Sequence, residues 1–357
     1  MRKFFILTVI AAWIIGSLTE IWAGQDIIIK REAVEKFTTL PDGVRFPEGI
    51  TANPNTEAIY VATFDFGPNS NKLLRFEKNG QLASQRDFAG TPLLGLQFNA
   101  LDNKVYICNF GASKIQRIAA NFTDTTAIED VAFIPFIGPP PDRVLDNPDT
   151  SQDRIRFGNN FPAPNGLTFD GSGNLYISDS FQGAIFRISN AHTCATPCPV
   201  TTIKHDGLLA TAGFPPFGAN GLAVSSDGTK LFIANTGDDR VLRLDLGTGT
   251  LTVWAESING ADGIAFHDGR VVVAANQADE IVILNDSGRV IAKLGDFLGI
   301  GSDGSPRGLL FPASLVIVDD TMFVTNLALP LTGAGNEPEQ DVTQYTISRI
   351  KIPKQLP

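Results

Sequence analysis

Four short segments of the chain place an oxygen-bearing side chain directly before a glycine, and these residues are the best suited to chemistry. They are Pro47-Glu48-Gly49, Pro164-Asn165-Gly166, Ala219-Asn220-Gly221 and Ala261-Asp262-Gly263. Carboxylate and amide oxygens are the ligands that hard cations such as Ca²⁺ prefer. If the four side chains met in space, they would form an all-oxygen site for Ca²⁺ or another divalent cation.

The four segments belong to a longer repeat, which explains how they can meet. Two further segments, residues 92–96 and 311–315, begin in the same way but carry Leu94 and Ala313 at the matching position. Each of the six is followed by a β-rich run, and a repeat of about four strands is typical of a β-propeller. The sequence therefore predicts an all-β, six-bladed β-propeller. Because equivalent positions in a propeller converge on one axis, the four polar side chains are predicted to meet there.

Turn chemistry is the alternative interpretation of these segments. Asn-Gly and Asp-Gly are common turn pairs, so Asn165, Asn220 and Asp262 could each be turn residues. Glu48 is not a typical turn residue. Two carboxylates on one axis repel each other unless a cation lies between them, so the pattern favours a cation site. Leu94 offers no ligand atom, which leaves the second repeat out of that site.

A second polar layer is predicted around the same mouth of the propeller. The second strand of each repeat runs antiparallel to the first, so its end lies beside the start of the first strand. Most of these strand ends carry Asn or Asp. The residues predicted to contact a substrate are Asp179, Asn235, Ser314, Asn109 and Asn276. For the strand-end Asn and Asp residues the alternative is turn capping, because their side chains bond readily to nearby backbone.

The two ends of the chain are predicted to close the ring. The C-terminal strand, residues 347–352, is followed by no fourth strand, and the N-terminal run of residues 26–30 could supply it. Such closure removes an exposed sheet edge. Residues 136–164 are rich in Pro, Asp and Asn and lead into the Asn165 segment. They predict a lid or a pocket wall, with a disordered insertion as the alternative.

The N-terminus has the pattern of an export signal. Two basic residues precede an apolar run over residues 4–18, and residues 21–23 offer a cleavage site. Residues 1–23 are therefore predicted to be a secretory signal peptide, with an uncleaved membrane anchor as the alternative. Residues 24–357 would then form a single propeller domain in the periplasm or outside the cell, free of the membrane after cleavage.

Charge and cysteine usage agree with an exported domain that attracts cations. The formal net charge is −10, whereas binding to nucleic acid needs a basic surface. Cys194 and Cys198 form a compact pair, and an oxidising compartment permits a disulfide between them. Two free thiols are the alternative. Cys108 lies in an apolar run and is predicted to be a core residue.

With these motifs the chain resembles the gluconolactonase and senescence-marker-protein family of six-bladed propellers. Relatives of that family include paraoxonase-like lactonases and the phosphotriesterase of the squid-enzyme type. Its members carry Glu in the first blade and Asn, Asn and Asp in the third, fourth and fifth, around one divalent cation. The segments here fall in that order and also skip the second blade. The resemblance covers nearly all of the chain after residue 23.

The resemblance implies a calcium-dependent hydrolase that acts on a small lactone or ester. The implied cation ligands are Glu48, Asn165, Asn220 and Asp262. A cation at such a site polarises a carbonyl oxygen and lowers the pKa of a bound water. Asp262 or Glu48 could also accept a proton from that water or orient it.

Two departures and one alternative accompany this resemblance. The three histidines lie outside the motifs, which gives no support to a paraoxonase-like His base, and the absence of Gly-x-Ser-x-Gly argues against a serine esterase. Residues 115–118 also resemble NHL-type repeats. The alternative is therefore a non-catalytic propeller that binds a ligand or a protein and holds a structural cation.

Overall fold

The computed structural model describes residues 27–31, 34–158, 161–332, 335–354 and 356. About half of the residues in these ranges lie in β-strands, and none lies in an α-helix; three short 3-10 helices cover Phe110–Ala112, Asn276–Ala278 and Pro338–Asp341. No helix in the described ranges has the length and apolar character to cross a membrane. The predicted signal peptide, residues 1–23, lies outside the described residues.

The described residues begin with two short strands, and the first three blades of a propeller follow in order. The N-terminal strands are β1 (Ile28–Lys30) and β2 (Val34–Thr39). Blade I contains β3 (Pro47–Asn53), β4 (Ala58–Thr63), β5 (Lys72–Phe76) and β6 (Leu82–Asp87). Blade II contains β7 (Leu93–Asn99), β8 (Lys104–Asn109), β9 (Lys114–Ala119) and β10 (Glu129–Phe133). A hairpin of β11 (Arg143–Asp146) and β12 (Gln152–Ile155) precedes blade III, which contains β13 (Pro164–Phe169), β14 (Leu175–Asp179), β15 (Ala184–Ile188) and β16 (Thr201–His205).

The second half of the chain builds the remaining three blades. Blade IV contains β17 (Ala219–Val224), β18 (Lys230–Asn235), β19 (Arg240–Asp245) and β20 (Leu251–Glu256). Blade V contains β21 (Ala261–His267), β22 (Arg270–Ala275), β23 (Glu280–Leu284) and β24 (Val290–Leu294). A hairpin of β25 (Phe297–Ile300) and β26 (Pro306–Gly308) precedes blade VI, which contains β27 (Pro312–Val318), β28 (Thr321–Asn326) and β29 (Thr346–Lys351). The predicted six-bladed β-propeller is confirmed.

The second strand of each blade is an apolar run because it is covered on both faces by neighbouring blades. In β22, Val271, Val272 and Val273 are all buried, although successive side chains of a strand point to opposite faces. β-branched residues suit such positions because they pack well on a pleated surface. The core is therefore distributed between the blades, and the first strands β3, β7, β13, β17, β21 and β27 contact one another in a ring around the axis.

The ring is closed by the two ends of the chain, as predicted, but by a different N-terminal segment. β2 pairs antiparallel with β29 and so supplies the fourth strand of blade VI. Residues 28–30, within the segment expected to do this, instead pair parallel with β24 at the edge of blade V. The apolar character of residues 26–30 suggested that they close the ring, whereas the closing strand is β2. β2 fits because its few apolar side chains are well placed, as where Phe37 packs edge-on against Phe323 with ring centroids 4.8 Å apart.

Each first strand carries a β-bulge at the position of the repeated sequence segment. In blade III, Pro164 pairs with Asp179 and Leu167 pairs with Ile177, so Asn165 and Gly166 form the irregularity between them. The same shift occurs in the other five blades. A bulge bends the strand and re-aims a side chain. The repeat is therefore the sequence of a bulge at the end of each axial strand.

Hydroxyl groups join the bulges of blades III and VI to the next blade. The Ser178 hydroxyl accepts a hydrogen bond from the Gly166 N–H at 2.7 Å and donates to the Asn220 carbonyl at 2.6 Å. The Thr325 hydroxyl likewise accepts from the Ser314 N–H at 2.9 Å and donates to the Glu48 carbonyl at 2.7 Å. The second of these links connects blade VI to blade I, so it belongs to the closure of the ring.

The glycine of the bulge allows the closest approach between blades. A Cβ atom at Gly166 would lie 2.3 Å from the carbonyl oxygen of Asn220. We expect Gly166→Ala to lower the free energy of unfolding by about 3 kcal/mol, because backbone would have to move. Denaturant unfolding measures this change. Gly171→Ala is the matched control, since its Cβ would meet no atom within 4 Å; equal stability of the two variants would contradict the close packing at the axis.

Candidate functional site

A cavity of about 40 Å³ lies at the end of the axial channel where the bulges converge. Its polar lining residues are Glu48, Asn165, Asn220, Thr236, Asp262 and Asn276. Its apolar lining residues are Phe64, Leu94, Pro215, Phe217, Phe311, Leu327, Leu329 and Leu331. We call the polar set the floor and the apolar set the wall. A space of this volume admits a cation or a water molecule beside the floor.

The structure brings together the four side chains predicted to bind a cation. All four lie in the floor, and each is buried, with at most 6% of its surface exposed. Leu94 lies in the equivalent position of blade II and lines the same cavity. The remaining position, in blade VI, is Ala313. One end of the axis therefore carries two carboxylates and two amides in an otherwise apolar setting.

The two asparagine side chains are oriented by hydroxyl groups. Asn165 Nδ2 donates to Ser180 Oγ at 2.9 Å, and Asn220 Nδ2 donates to Thr236 Oγ1 at 2.9 Å. Both hydroxyls donate onward to backbone carbonyls of the next blade. Because the amide nitrogens are occupied in this way, the amide oxygens are the atoms left for a cation. The sequence analysis missed Ser180 and Thr236; the available signal was that each directly follows the last residue of a second strand.

Three acceptor atoms in the floor are buried without a hydrogen-bond partner among the described residues: Glu48 Oε2, Asp262 Oδ1 and Asn276 Oδ1. The other carboxylate oxygen of Asp262 accepts from Asn276 Nδ2 at 2.9 Å. A buried polar atom without a partner is destabilising, and native structures contain few of them. Three such acceptors at one place, with oxygen as the donor atom in each, fit a hard cation.

The pKa values of the two carboxyl groups are raised by the same burial. Desolvation raises the pKa of Asp262 to about 7, against the lowering effect of the nearby side-chain amides of Asn276 and Asn220. Desolvation and then the charge of Asp262 raise the pKa of Glu48 well above its usual range. Two carboxylates in an apolar cavity are costly to ionise. A divalent cation between them would favour the ionised form of both.

Amide oxygens are needed to complete any cation site here. Among the described residues there is no group of three or more His, Cys, Asp and Glu side chains that could hold a metal ion. The floor has only its two carboxylates, so Asn165 and Asn220 would supply the other protein oxygens. None of the histidines lines this cavity, and His267 lies at the opposite opening of the axial channel, as expected.

Three of the residues predicted to contact a substrate are occupied by local structure. Asp179 accepts hydrogen bonds from the backbone of Ala163, Phe181 and Gln182 and from the Gln182 side chain. Asn109 accepts from the Ala112 N–H, and Asn235 donates to the carbonyls of Leu208 and Ala210. All three are buried, and none lines the cavity. Their contacts favour the turn-capping alternative.

The other two predicted substrate contacts lie at different ends of the axis. Asn276 lines the floor beside Asp262. Ser314 lines the channel on the opposite side of the ring, together with Gly95, Gly166 and Gly263 of other blades. The reason is register: Ser314 occupies the glycine position of the repeat, one residue after the ligand position. Its side chain therefore does not face the floor.

An aromatic cluster surrounds one side of the cavity. It consists of Phe64, Phe66, Phe110, Phe161, Phe181 and Phe217, whose rings meet mostly edge to face. Phe64 and Phe217 belong to the wall, whereas Phe66 and Phe161 are 66% and 52% exposed. The aromatic cluster thus connects the wall to the outer surface.

The insertion over residues 136–164 contributes to this aromatic cluster. Its described part contains the β11–β12 hairpin, and Phe161 packs against Phe110 with ring centroids 5.6 Å apart. Two contacts of Arg143 anchor the hairpin. Its guanidinium forms an ion pair with Asp238 of blade IV at 2.7 Å and donates a hydrogen bond to the Gly207 carbonyl at 2.9 Å. The described part of the insertion is therefore ordered and forms part of the surroundings of the cavity.

The cysteines lie apart from the cavity lining. Cys194 and Cys198 form a disulfide with Cα atoms 5.6 Å apart. Cys108 is a free, fully buried thiol. Its pKa is raised well above the usual range by burial, and further by the charges of Glu48 and Asp179.

No protein-family model and no curated protein matches the sequence. Solved structures do match its fold. A luciferin-regenerating enzyme superposes with a TM-score of 0.62 at 14% identity, over 90% of this chain and 96% of its own. Regucalcin, a calcium-binding protein from Agrobacterium tumefaciens, gives 0.60 at 15% identity, over 91% and 97%. A gluconolactonase from Xanthomonas campestris gives 0.52 at 12% identity, over 88% of each chain.

At these identities the likeness defines the fold. The chain is a six-bladed β-propeller of the kind that gluconolactonase and regucalcin adopt, and the resemblance expected from the repeated motifs is confirmed at that level. Activity does not follow from a fold, because the same fold carries many functions. The activity of this chain depends on the residues of its floor and wall.

Proposed function

We propose that the chain is a metal-dependent hydrolase, a lactonase or carboxylic-ester hydrolase that uses Ca²⁺ or another divalent cation at the floor of the cavity. The observation that carries the proposal is the group of three buried acceptor oxygens without partners beside an apolar wall. The names of two structural neighbours agree with it, since one is a calcium-binding protein and another a gluconolactonase.

The residues of the floor divide into ligands and supports. Glu48 and Asp262 supply negative charge, and Asn165 and Asn220 supply neutral oxygens that Ser180 and Thr236 hold in place. The chemistry that a bound cation supplies is polarisation of the carbonyl oxygen and a lower pKa for an adjacent water. The wall limits access of bulk water to the floor, which strengthens every electrostatic interaction there.

Asp262 is the better candidate for the proton acceptor of the two carboxylates. It is fixed by the hydrogen bond from Asn276, so one oxygen keeps its place while Oδ1 has no partner. A general base must lie within hydrogen-bonding reach of the proton that it accepts. An oxygen held at the floor meets that requirement for a water between it and a substrate carbonyl.

A non-catalytic propeller with a structural cation is the second candidate. Its support is that Asp179, Asn109 and Asn235 are bound to local backbone, which leaves Glu48 and Asp262 as the titratable groups that line the cavity. If both carboxylates bind the cation, neither is free for proton transfer. The two candidates share the cation and differ in turnover.

A calcium titration followed by a hydrolysis assay separates these candidates. We expect calorimetry of the purified protein to give one Ca²⁺ ion per chain. We also expect a panel of lactones and aryl esters to include substrates whose hydrolysis stops on chelation and returns with calcium. Calcium binding without any turnover would favour the structural cation, and failure to bind calcium or any other divalent cation would contradict both candidates.

A further inference from the structure

Each side-chain amide of the floor already uses one of its hydrogen-bond donors within the protein. The amide nitrogens of Asn165 and Asn220 donate to Ser180 and Thr236, and that of Asn276 donates to Asp262. The hydroxyl of Thr236 donates to the Ala261 carbonyl at 2.8 Å. The atoms without partners are the acceptor oxygens Glu48 Oε2, Asp262 Oδ1 and Asn276 Oδ1, which belong to residues that line the cavity. The described lining residues therefore present acceptor oxygens at one point and little other polar recognition.

The wall offers only apolar contact. Phe64 and Phe311 are buried, and Phe217, Leu329 and Leu331 are partly exposed at the opening. These residues come from four different loops, at residues 64, 217, 311 and 329–331, so the apolar lining nearly surrounds the floor. The aromatic cluster continues it outward through Phe66 and Phe161.

This distribution discriminates between substrate classes. A sugar lactone carries several hydroxyls, and each one buried against the wall without a partner lowers affinity by about tenfold or more. An alkyl chain gains from the same contact, by about fourfold for each methylene removed from water. One carbonyl directed to a cation at the floor would satisfy most of the polar recognition that the described residues of the site provide.

We propose that the site selects apolar lactones and esters, with an alkyl or aryl group held by the wall, and that it discriminates against polyhydroxylated sugar lactones. The rate assay for this inference rests on the proposed hydrolase function, whereas the contact between the wall and an apolar ligand does not. The wall would select an apolar ligand even if the cation were purely structural.

The test compares two lactones with the same six-membered ring in the calcium-loaded protein. We expect kcat/KM for δ-decanolactone, which bears a pentyl chain, to exceed that for D-glucono-δ-lactone by about 100-fold or more. The products give a readout independent of turnover: 5-hydroxydecanoate should bind at least about tenfold more tightly than gluconate in calorimetry.

Variants of the wall link the preference to its residues. Phe217→Ser should reduce kcat/KM for δ-decanolactone about tenfold more than for δ-valerolactone, which has the bare ring. Leu329→Ser, on a different loop, should act in the same direction, so the test survives if one variant fails to fold. Phe133→Ser is the matched control, since Phe133 is 58% exposed on β10 and does not line the cavity.

The outcomes separate this inference from the proposed function. Hydrolysis of both lactones with a preference for the sugar lactone would overturn the inference and leave the hydrolase standing. No hydrolysis of any lactone or ester would overturn the hydrolase, and the product affinities would then decide the inference. Equal or tighter binding of gluconate would overturn it in that case too.

Discussion

The Asp262→Asn variant is expected to lose calcium binding and at least about 99% of any calcium-dependent hydrolysis. The substitution keeps the shape of the side chain but removes one of the two negative charges of the floor. It also replaces one of the two carboxylate oxygens with an amide nitrogen, which repels a cation. Of these two oxygens, Oδ1 has no hydrogen-bond partner among the described residues. Removing a ligand or base of this kind typically costs two or more orders of magnitude in rate.

The same variant should be at least as stable as the wild type when calcium is absent. The pKa of Asp262 is raised to about 7 because burial disfavours its charge. At pH 8 the neutral side chain of the variant avoids the unfavourable free energy of a buried carboxylate. Loss of calcium binding together with an unchanged or higher melting temperature identifies a ligand and excludes general unfolding. Glu48→Gln should behave in the same way.

The control for Asp262→Asn is Asp124→Asn, the same chemical change at an exposed turn. Calorimetry and the initial hydrolysis rate of both variants measure the effect. Calcium affinity or turnover retained by Asp262→Asn would contradict the proposed site. Equal losses in the two variants would point to charge in general and not to the floor.

Calcium is expected to stabilise the protein strongly at pH 8 and weakly at pH 5.5. In the metal-free protein the pKa of Glu48 and that of Asp262 are both raised above those of an unfolded chain. The unfolded chain therefore releases these protons at a lower pH than the folded chain does. The stability due to the protonated pair is complete below about pH 4 and is lost as the pH rises through 7.

The size of the effect follows from the pKa of Asp262. A change from the ordinary aspartate value to about 7 corresponds to roughly 4 kcal/mol of folding free energy at pH 8. Calcium at a thousand times its Kd returns about 4 kcal/mol, which for a domain of this size raises the melting temperature by roughly 10 °C. At pH 5.5 the ion competes with protons on both groups, so the shift should be below about 3 °C.

Thermal melts at both pH values, with calcium and with a chelator, measure this dependence. The Asp262→Asn variant serves as the control, because it should show no calcium-induced shift at either pH. A calcium-induced shift of the same size at pH 5.5 and pH 8 would contradict binding between Glu48 and Asp262.

The sequence predicted the blades and the convergence at the axis because both depend on a pattern that repeats. Glu48, Asn165, Asn220 and Asp262 share one position of a repeated bulge, and symmetry alone brings equivalent positions together. The order of the blades needed no further information. The same position in blade II is Leu94, which lines the cavity but offers no ligand atom.

The features that sequence reasoning missed depend on single contacts. Asp179 caps a turn because it accepts hydrogen bonds from the N–H groups of residues 163, 181 and 182. No sequence pattern predicts these contacts. Ser314 lines the channel on the other side of the ring because it occupies the glycine position of the repeat, one residue after the ligand position. Most of the wall comes from loops outside the repeat, so its apolar character could not be predicted from the blades.

The closing strand also determines when the domain can be completed during synthesis. β2 precedes blade I in the chain, and its partner β29 follows the other strands of blade VI. The hydrogen bond from Thr325 of blade VI to the Glu48 carbonyl likewise joins distant parts of the chain. The strands of blades I to IV come from neighbouring sequence, whereas these closing contacts are distant, and distant contacts form late because loop closure is costly. The circle that surrounds the floor therefore becomes whole only after β29 has been synthesised.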